Sequence, residues 1–194
     1  MKDSKKSKYL EAARSVFLRY GYKRANMSDI AQTAGISRAA LYLVFRNKEE
    51  IFIGVLERWA EETIADVQKA VATGVTPREK LEQAFEIWAI RPYEIMTSSP
   101  EAKELIECSF DFAQASLRNA YKKFEATIAP IISVSASRPR GGVQLDAERT
   151  AHILASSVRG LKQTANTPVE LRRLIEELLF LSLPYLAERT KKRA

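Results

Sequence analysis

Apolar residues recur at three- and four-residue steps along most of the chain, and this period decides the fold class. The first series ends at a glycine; it consists of Tyr9, Leu10, Ala13, Val16, Phe17 and Tyr20, followed by Gly21. Such spacing is typical of an amphipathic helix, and a glycine at its end can supply a left-handed cap. The period-two alternation that would predict strands does not occur in the sequence. The sequence therefore predicts an all-α protein of about nine helices.

Cap residues divide the apolar series into separate helices. A Ser, Thr, Asp or Asn before a series indicates a helix start, and at Asn26, Asn47, Thr76 and Thr167 an acidic residue three positions later strengthens the signal. The predicted starts are Asn26, Ser37, Asn47, Thr76, Ser99, Asp146 and Thr167. We expect one long helix from Pro100 to about Ile128, with Pro130 after its end, and loops at 91–100 and 133–143.

The net charge of +7 is concentrated in the first quarter of the chain. Residues 1–50 contain 11 Lys and Arg against 5 Asp and Glu, whereas the remaining residues contain 20 against 19. This distribution fits a solvated N-terminal face, and it also fits a basic nucleic-acid reader beside a neutral second domain.

Single cysteine and histidine residues narrow the chemistry. Cys108 and His152 leave no internal disulfide and no Cys- or His-rich metal site, so no metal or other cofactor is expected. The most apolar run, LLFLSLPYLA, is too short to span a bilayer, and no secretory leader is recognisable. We expect a cytoplasmic protein without a membrane segment.

The stretch DIAQTAGISRAALYLVFRNKEE, residues 29–50, has the pattern of a helix-turn-helix. Ala31 is small enough for two helices to touch there, and Gly35 tolerates the positive φ of a tight turn. The second helix, predicted at 38–45, would lie in a DNA major groove. A purely structural helical hairpin is the alternative.

The polar residues around this turn suit contacts with DNA. Arg38 can take a guanine bidentately, Ala39 keeps the helix slim, and Tyr42 lies one turn on from Arg38. Lys48 opens the next helix and could contact a phosphate. The predicted DNA-binding residues are Asn26, Ser28, Ser37, Arg38, Ala39, Tyr42 and Lys48. Lys5, Lys6 and Lys8 could reach the minor groove or the backbone.

From Lys8 to about Val55 the chain resembles the DNA-binding domain of the TetR family of transcriptional regulators. The matching positions are Ala12, Ala13, Phe17, Gly21, Tyr22, 29–31, 34–37, Leu41, Tyr42, Phe45 and 48–50. The resemblance implies a helix-turn-helix DNA-binding domain at 1–47 and a helical effector-binding and dimerisation domain at 48–194. It also implies a homodimer, usually a repressor released by a small molecule. Ala25, Leu43 and Val44 depart from the family pattern, so the operator sequence does not carry over.

Two residue sets suggest roles for the C-terminal domain. Aromatic and sulfur-containing side chains predict an effector pocket, which the family places in this region: Trp59, Phe85, Trp88, Tyr93, Met96, Phe110 and Phe112. The last two helices are apolar over more than one stripe, which predicts a homodimer interface at Leu154, Val158, Leu161, Leu171, Leu174, Ile175 and Leu178. Plain core residues are the alternative for both sets.

The sequence thus predicts a ligand-responsive regulator of transcription, most simply a homodimeric repressor of a near-palindromic double-stranded operator, with a small apolar or amphipathic effector. A non-specific architectural DNA-binding protein needs the same basic head, and a co-repressed or activating regulator shares every feature. An enzyme is not expected, because the sequence has no phosphate loop, nucleophile elbow or metal constellation.

Overall fold

The computed structural model describes residues 2–107, 111–133 and 146–182, and these residues form helices joined by short turns without any strand. The α-helices are α1 (Lys2–Arg24), α2 (Met27–Ala34), α3 (Arg38–Tyr42), α4 (Lys48–Thr73), α5 (Pro77–Phe85), α6 (Arg91–Thr97), α7 (Pro100–Glu107), α8 (Gln114–Ser133), α9 (Ala147–Thr164) and α10 (Pro168–Ser182). A π-helical turn, Glu86–Ile90, joins α5 to α6, and a 3-10 turn, Asp111–Ala113, precedes α8. The predicted all-α class is confirmed.

The predicted caps form as hydrogen bonds. Asn26 Oδ1 accepts from the N–H groups of Ser28 and Asp29 at 2.9 and 3.1 Å, while Asp29 accepts from the Asn26 N–H at 3.2 Å. Thr76 and Glu79 form the same reciprocal box at α5. These bonds satisfy N–H groups that a helix start leaves without partners. Side-chain oxygens at the other predicted starts also accept a cap bond: Ser37, Asn47, Ser99, Asp146 and Thr167.

Three expectations about the middle of the chain are wrong. The predicted loop at 91–100 is largely α6, which continues from the π-turn. The π-turn ends at Ile90, close to Pro92, which has no N–H for a regular helical hydrogen bond. The single helix predicted from Pro100 to Ile128 is divided by the 3-10 turn, which winds more tightly than an α-helix. Pro130 lies inside α8 rather than after it. Residues 134–143 of the other predicted loop lie outside the described residues.

The chain divides into two compact units. Unit 1 contains residues 1–61 and 95–120, and unit 2 contains residues 62–94 and 121–194. This division follows packing, and α4 and α8 each contribute residues to both units. The boundary predicted at 47/48 follows the DNA-binding helices instead and stays a prediction.

Each unit has its own aromatic centre. In unit 1, Phe17, Tyr22, Phe52 and Phe112 contact one another at ring-centroid distances of 5.1–5.9 Å. In unit 2, Phe124 stacks on Trp88 at 4.5 Å and meets the edge of Phe85 at 5.4 Å. Rings at these distances attract one another beyond the burial of their apolar area.

Candidate nucleic-acid interface

The turn between α2 and α3 has the geometry that the sequence predicts. Gly35 is left-handed, with φ 69° and ψ 36°. Its N–H donates to the Gln32 carbonyl at 3.1 Å, and the Ile36 N–H donates to the Ala31 carbonyl at 3.0 Å. This pair of bonds is a Schellman motif, which ends α2 and redirects the chain. The helix-turn-helix is therefore closed by its own backbone.

α3 turns one side to the core and the other to solvent. Leu41 is fully buried, whereas Ser37, Arg38, Ala39 and Tyr42 are exposed. The helix is shorter than predicted, although the Leu41 carbonyl still accepts from the N–H of Phe45 at 3.0 Å. The four exposed residues lie on or next to one short helix, as a reading element requires.

Arg38 and Tyr42 form a pair on the exposed side of α3. The guanidinium carbon lies 5.5 Å from the centroid of the Tyr42 ring, and Nη2 approaches the phenol oxygen at 3.4 Å. Stacking on a ring limits the rotamers of a long side chain, so less entropy is lost when it meets a ligand. Arg38 is thus partly ordered before any partner arrives.

Leu43 is an unusual surface residue for its position. Its side chain is 88% exposed directly after α3, and neighbouring Val44 is 40% exposed. Large apolar side chains at the reading end of a helix can contact thymine methyl groups. Two of the three positions at which the sequence departs from the family pattern, Leu43 and Val44, are therefore exposed apolar residues directly after α3.

The remaining predicted DNA-binding residues differ in how they are used. Ser28 is exposed. Asn26 is also exposed, but its side-chain oxygen Oδ1 already accepts two hydrogen bonds from backbone N–H groups of α2. Lys48 is half-buried, and its ammonium donates to backbone carbonyls of residues 22–25. Six of the seven predicted residues, all between positions 26 and 42, are exposed, whereas the ammonium of Lys48 contacts the protein's own backbone.

The predicted effector-pocket residues that the structure describes are divided between the two units. Trp59 lies in unit 1 with the Arg14 guanidinium 4.5 Å above its ring, and Phe112 belongs to the aromatic centre of that unit. Phe85 and Trp88 pack on Phe124 in unit 2. Three further positions complete the set: buried Tyr93, whose hydroxyl donates to the Ala165 carbonyl at 2.6 Å; half-buried Met96; and Phe110, which lies outside the described residues.

Unit 2 contains a cleft of about 700 Å³ that the sequence did not reveal. Four apolar side chains contribute to its wall: Ile87, Ile90, Ile175 and Leu179. Charged side chains share the lining, among them Arg172, which donates two bonds to Glu86 and one to Glu94 at 2.9–3.1 Å. None of the six predicted pocket residues that the structure describes lines this cleft. Apolar wall and charged lining together suit an amphipathic ligand.

Arg159 lies against a ring that contacts the aromatic centre of unit 2, and Lys162 interacts electrostatically with Arg159. The Arg159 guanidinium lies 5.3 Å from the ring centroid of Tyr121, which meets Trp88 edge-on at 5.5 Å. Burial raises the pKa of Tyr121. Burial, and secondarily the charge of Arg159, lowers the pKa of Lys162 to about 8. The sequence did not indicate this arrangement, because Arg159 and Lys162 have the spacing of ordinary surface residues on an amphipathic helix.

The predicted dimer residues fall into two groups. Leu154, Val158, Leu171 and Ile175 are buried within the chain's own fold. Leu161, Leu174 and Leu178 are half-buried, so part of each reaches the surface of α9 or α10. Four apolar side chains on the same helices are more exposed than these and were not in the predicted set: Ile153, Val169, Phe180 and Leu181. Helical periodicity identified the apolar helices without separating their inner from their outer stripes.

An all-helical chain whose Schellman turn presents a short exposed helix with a paired Arg and Tyr has the fold and site of a helix-turn-helix DNA-binding regulator. Residues 10–55 match the family described as bacterial regulatory proteins, tetR family, so this segment has the DNA-binding domain of the TetR transcriptional regulators. Its relatives are transcriptional regulators rather than enzymes, as predicted. Among the described residues, no helix is long and apolar enough to cross a membrane.

Some relatives match less than half of this chain, and others match most of it. The transcriptional activator FasR of Mycolicibacterium smegmatis is 35% identical over 85 residues, 44% of this chain and only 39% of that protein. The transcriptional repressor KstR2 of the same species is 27% identical over 147 residues, 73% of this chain and 72% of that protein. The structure of FadR from Bacillus subtilis in complex with stearoyl-CoA superposes with a TM-score of 0.64 at 18% identity, covering 93% of this chain and 97% of FadR.

Proposed function

We propose that the protein is a homodimeric repressor that binds a near-palindromic DNA operator through α3 and is released by a small amphipathic effector. The observation that carries the proposal is the exposed Arg38–Tyr42 pair on a short helix behind a left-handed glycine turn. A dimer places two such helices in successive major grooves, which is why the operator should be a near-palindrome.

The contacts divide between reading and anchoring. Arg38 would bond a guanine edge, and Ala39 and Leu43 would contact thymine methyls. Tyr42, Ser37, Ser28 and Asn26 would bond phosphates, with Lys5, Lys6 and Lys8 adding charge near the minor groove or backbone. The concentration of positive charge in residues 1–50 supports this division, because phosphate contacts supply most of the affinity for DNA.

Repression is the direction we propose. The similarity to a named repressor extends over 73% of this chain, whereas the similarity to a named activator is confined to 44%. A repressor needs only to occupy its operator and to leave it. The sign can be checked by measuring transcription from the bound promoter with and without the protein.

A dimer interface is proposed on the outer stripes of α9 and α10. Ile153 is 55% exposed, Leu181 is 72% exposed, and half-buried Leu161, Leu174 and Leu178 lie on the same two helices. Large exposed apolar side chains on two neighbouring helices suggest a self-complementary interface. Sedimentation should show a dimer that Ile153→Glu disrupts, while Ser156→Glu on exposed α9 surface serves as a charge control; a monomeric wild type contradicts the interface.

An amphipathic effector fits unit 2 better than a purely apolar one. The cleft combines apolar walls with Arg and Glu side chains, and the aromatic centre has Arg159 beside it. FadR, whose fold this chain shares, was solved with stearoyl-CoA. We therefore propose an effector with an apolar chain and an anionic head. Ligand binding would shift α4 and reduce operator affinity, a coupling between two separate sites.

The DNA proposal is tested with the region upstream of the protein's own coding sequence, random DNA as competitor, and two salt concentrations. Specific reading predicts a preference of at least about a thousandfold over random DNA. Arg38→Ala should weaken binding by about 10–100-fold, because one bidentate contact is lost per subunit. Arg149→Ala, an exposed arginine of unit 2, is the matched control. Equal competition by random DNA would instead favour an architectural protein.

The effector proposal is tested by adding stearoyl-CoA, free coenzyme A or stearate to the bound complex. The expected result is release of DNA by stearoyl-CoA or stearate, each of which has an apolar chain and an anionic head, and not by free coenzyme A. Release by free coenzyme A alone, or by none of the three, contradicts an amphipathic effector of this kind.

A further inference from the structure

Lys48, the first residue of α4, donates hydrogen bonds to three backbone carbonyls, which a phosphate contact does not require. Its ammonium donates to the carbonyl oxygens of Tyr22 at 2.7 Å, Ala25 at 2.9 Å and Lys23 at 3.4 Å. The same ammonium lies 4.3 Å from the centroid of the Tyr22 ring. A lysine ammonium has three donor hydrogens, so these carbonyls use its full hydrogen-bonding capacity.

The carbonyls that Lys48 meets belong to residues 22–25, the last residues of α1 and the link to α2, which we call the α1–α2 turn. This turn follows Gly21, whose φ of 73° interrupts α1, and it ends at Asn26, the cap of α2. Carbonyls at the end of a helix have no partner within the helix and carry partial negative charge. A positive charge held against them therefore stabilises the turn from which the helix-turn-helix starts.

The Tyr22 ring provides a second connection between α4 and this turn. It contacts Phe52 of α4 at 5.1 Å and Phe17 of α1 at 5.8 Å. Burial, and secondarily the charge of Glu49, raises the pKa of Tyr22 to about 12, so the phenol stays neutral at physiological pH. α4 thus holds the turn through an ammonium at residue 48 and through an aromatic ring one helical turn later.

We infer that Lys48 is a positioning residue for DNA reading: its ammonium latches the first turn of α4 to the α1–α2 turn and so sets the orientation of α2 and α3. This role rests on the proposed reading of DNA by α3, and it replaces the phosphate contact predicted for Lys48 from the sequence. The latch is local to unit 1, since residues 22–25 and 48 all belong to it.

Salt dependence separates the two roles of Lys48. The probe is a duplex selected from a random library with the full-length wild-type protein. Lys48→Met should weaken binding about tenfold while leaving the slope of log K against log salt unchanged, because no phosphate contact is lost. Lys69→Met, an exposed lysine of the same helix, controls for the lost charge. A slope shallower by about one for each lysine lost, or unchanged affinity, would overturn the latch.

The conservative variant provides a second readout. Lys48→Arg keeps the charge, but its planar guanidinium cannot point at three convergent carbonyls as an ammonium does. We expect Lys48→Arg to bind DNA as weakly as Lys48→Met. Affinity equal to the wild type would show that charge alone matters, which is the behaviour of a phosphate contact. Circular dichroism at the assay temperature must show both variants folded.

A third measurement does not require DNA. Hydrogen exchange in the free protein should be about tenfold faster at amides 25–30 in Lys48→Met and unchanged in Lys69→Met. Equal protection in Lys48→Met and wild type would overturn the latch even if DNA binding is lost. Failure of the wild type to select any duplex would instead contradict the proposed DNA reading, and the exchange result would still decide whether the latch exists.

Discussion

The helix-turn-helix of unit 1 and the α9–α10 pair of unit 2 are both pairs of consecutive helices. Individual residues determine the local geometry of the first pair but not the packing of the second. In residues 26–45 each local feature has one responsible residue, such as the Asn26 cap or left-handed Gly35. In α9 and α10 the apolar stripes exceed what one buried face needs, and tertiary packing decides which stripe is inside. Local chemistry therefore determines the helix-turn-helix, whereas global packing determines the proposed effector and dimer surfaces.

The largest expected effect is the loss of the aromatic centre of unit 2. Phe124 is fully buried between Phe85 and Trp88. Phe124→Ala should lower the free energy of unfolding by about 3–5 kcal/mol, because a cavity replaces a ring. Urea denaturation followed by tryptophan fluorescence measures this change.

Leu43 supplies the contrasting apolar residue in unit 1. Because its side chain is 88% exposed, Leu43→Ala should change the free energy of unfolding by no more than about 0.5 kcal/mol. Equal losses for Phe124→Ala and Leu43→Ala would contradict the distinction between a packed centre and an exposed reading surface.

Lys162 should destabilise unit 2 at neutral pH. Its pKa of about 8 in the folded protein lies below the ordinary value of 10.5, with burial as the main cause. Between these values the unfolded chain binds a proton that the folded chain lacks, so stability rises with pH across this window. Below about pH 8 both states are protonated and the folded state carries the full cost of burying the charge.

Replacing this lysine should therefore stabilise the protein. Lys162→Met should raise the free energy of unfolding at pH 7 on the order of 1–3 kcal/mol and flatten the rise above pH 8. Denaturation at pH 7, 8, 9 and 10 measures both effects. The exposed Lys122→Met should show neither of them; a loss of stability in Lys162→Met would mean that its ammonium has a stabilising partner.

Effects of about 1 kcal/mol or less, with opposite signs, are expected at two glycines with opposite backbone requirements. A Cβ added at Gly35 or Gly160 meets no atom within 4 Å, so neither substitution causes a clash. Gly35→Ala should cost about 1 kcal/mol because alanine disfavours positive φ, whereas Gly160→Ala in α9 should gain about 0.5–1 kcal/mol. Urea denaturation of both variants tests the contrast, and a neutral Gly35→Ala would contradict the left-handed turn.

Much of unit 1 was predictable because its signals are local. The Asn26–Asp29 box, the Gly35 turn and buried Leu41 follow from cap chemistry, backbone sterics and helical period. The contacts of the Lys48 ammonium were not predictable. They join residues separated by 23 to 26 positions in the sequence, and they depend on where α4 begins. A lysine at a helix start reads equally well as a phosphate contact.

Unit 2 shows what periodicity leaves out. The pattern identified α9 and α10 but did not separate residues buried in the chain's own fold, such as Leu154 and Ile175, from exposed ones such as Ile153. The predicted pocket set treated aromatic residues as one group, although Phe112 packs in unit 1 and Trp88 packs in unit 2. Nothing in a single sequence states which distant helix covers which stripe.

Base-by-base discrimination by wild type and Arg38→Ala tests the central claim, that α3 reads DNA through Arg38, most directly. Each base pair of the selected duplex is changed in turn and the affinity of both proteins is measured at one salt concentration. The wild type should lose about 10–100-fold when one G·C pair in each half-site is changed, and Arg38→Ala should lose discrimination at that pair alone. Identical profiles for the two proteins would contradict reading by Arg38.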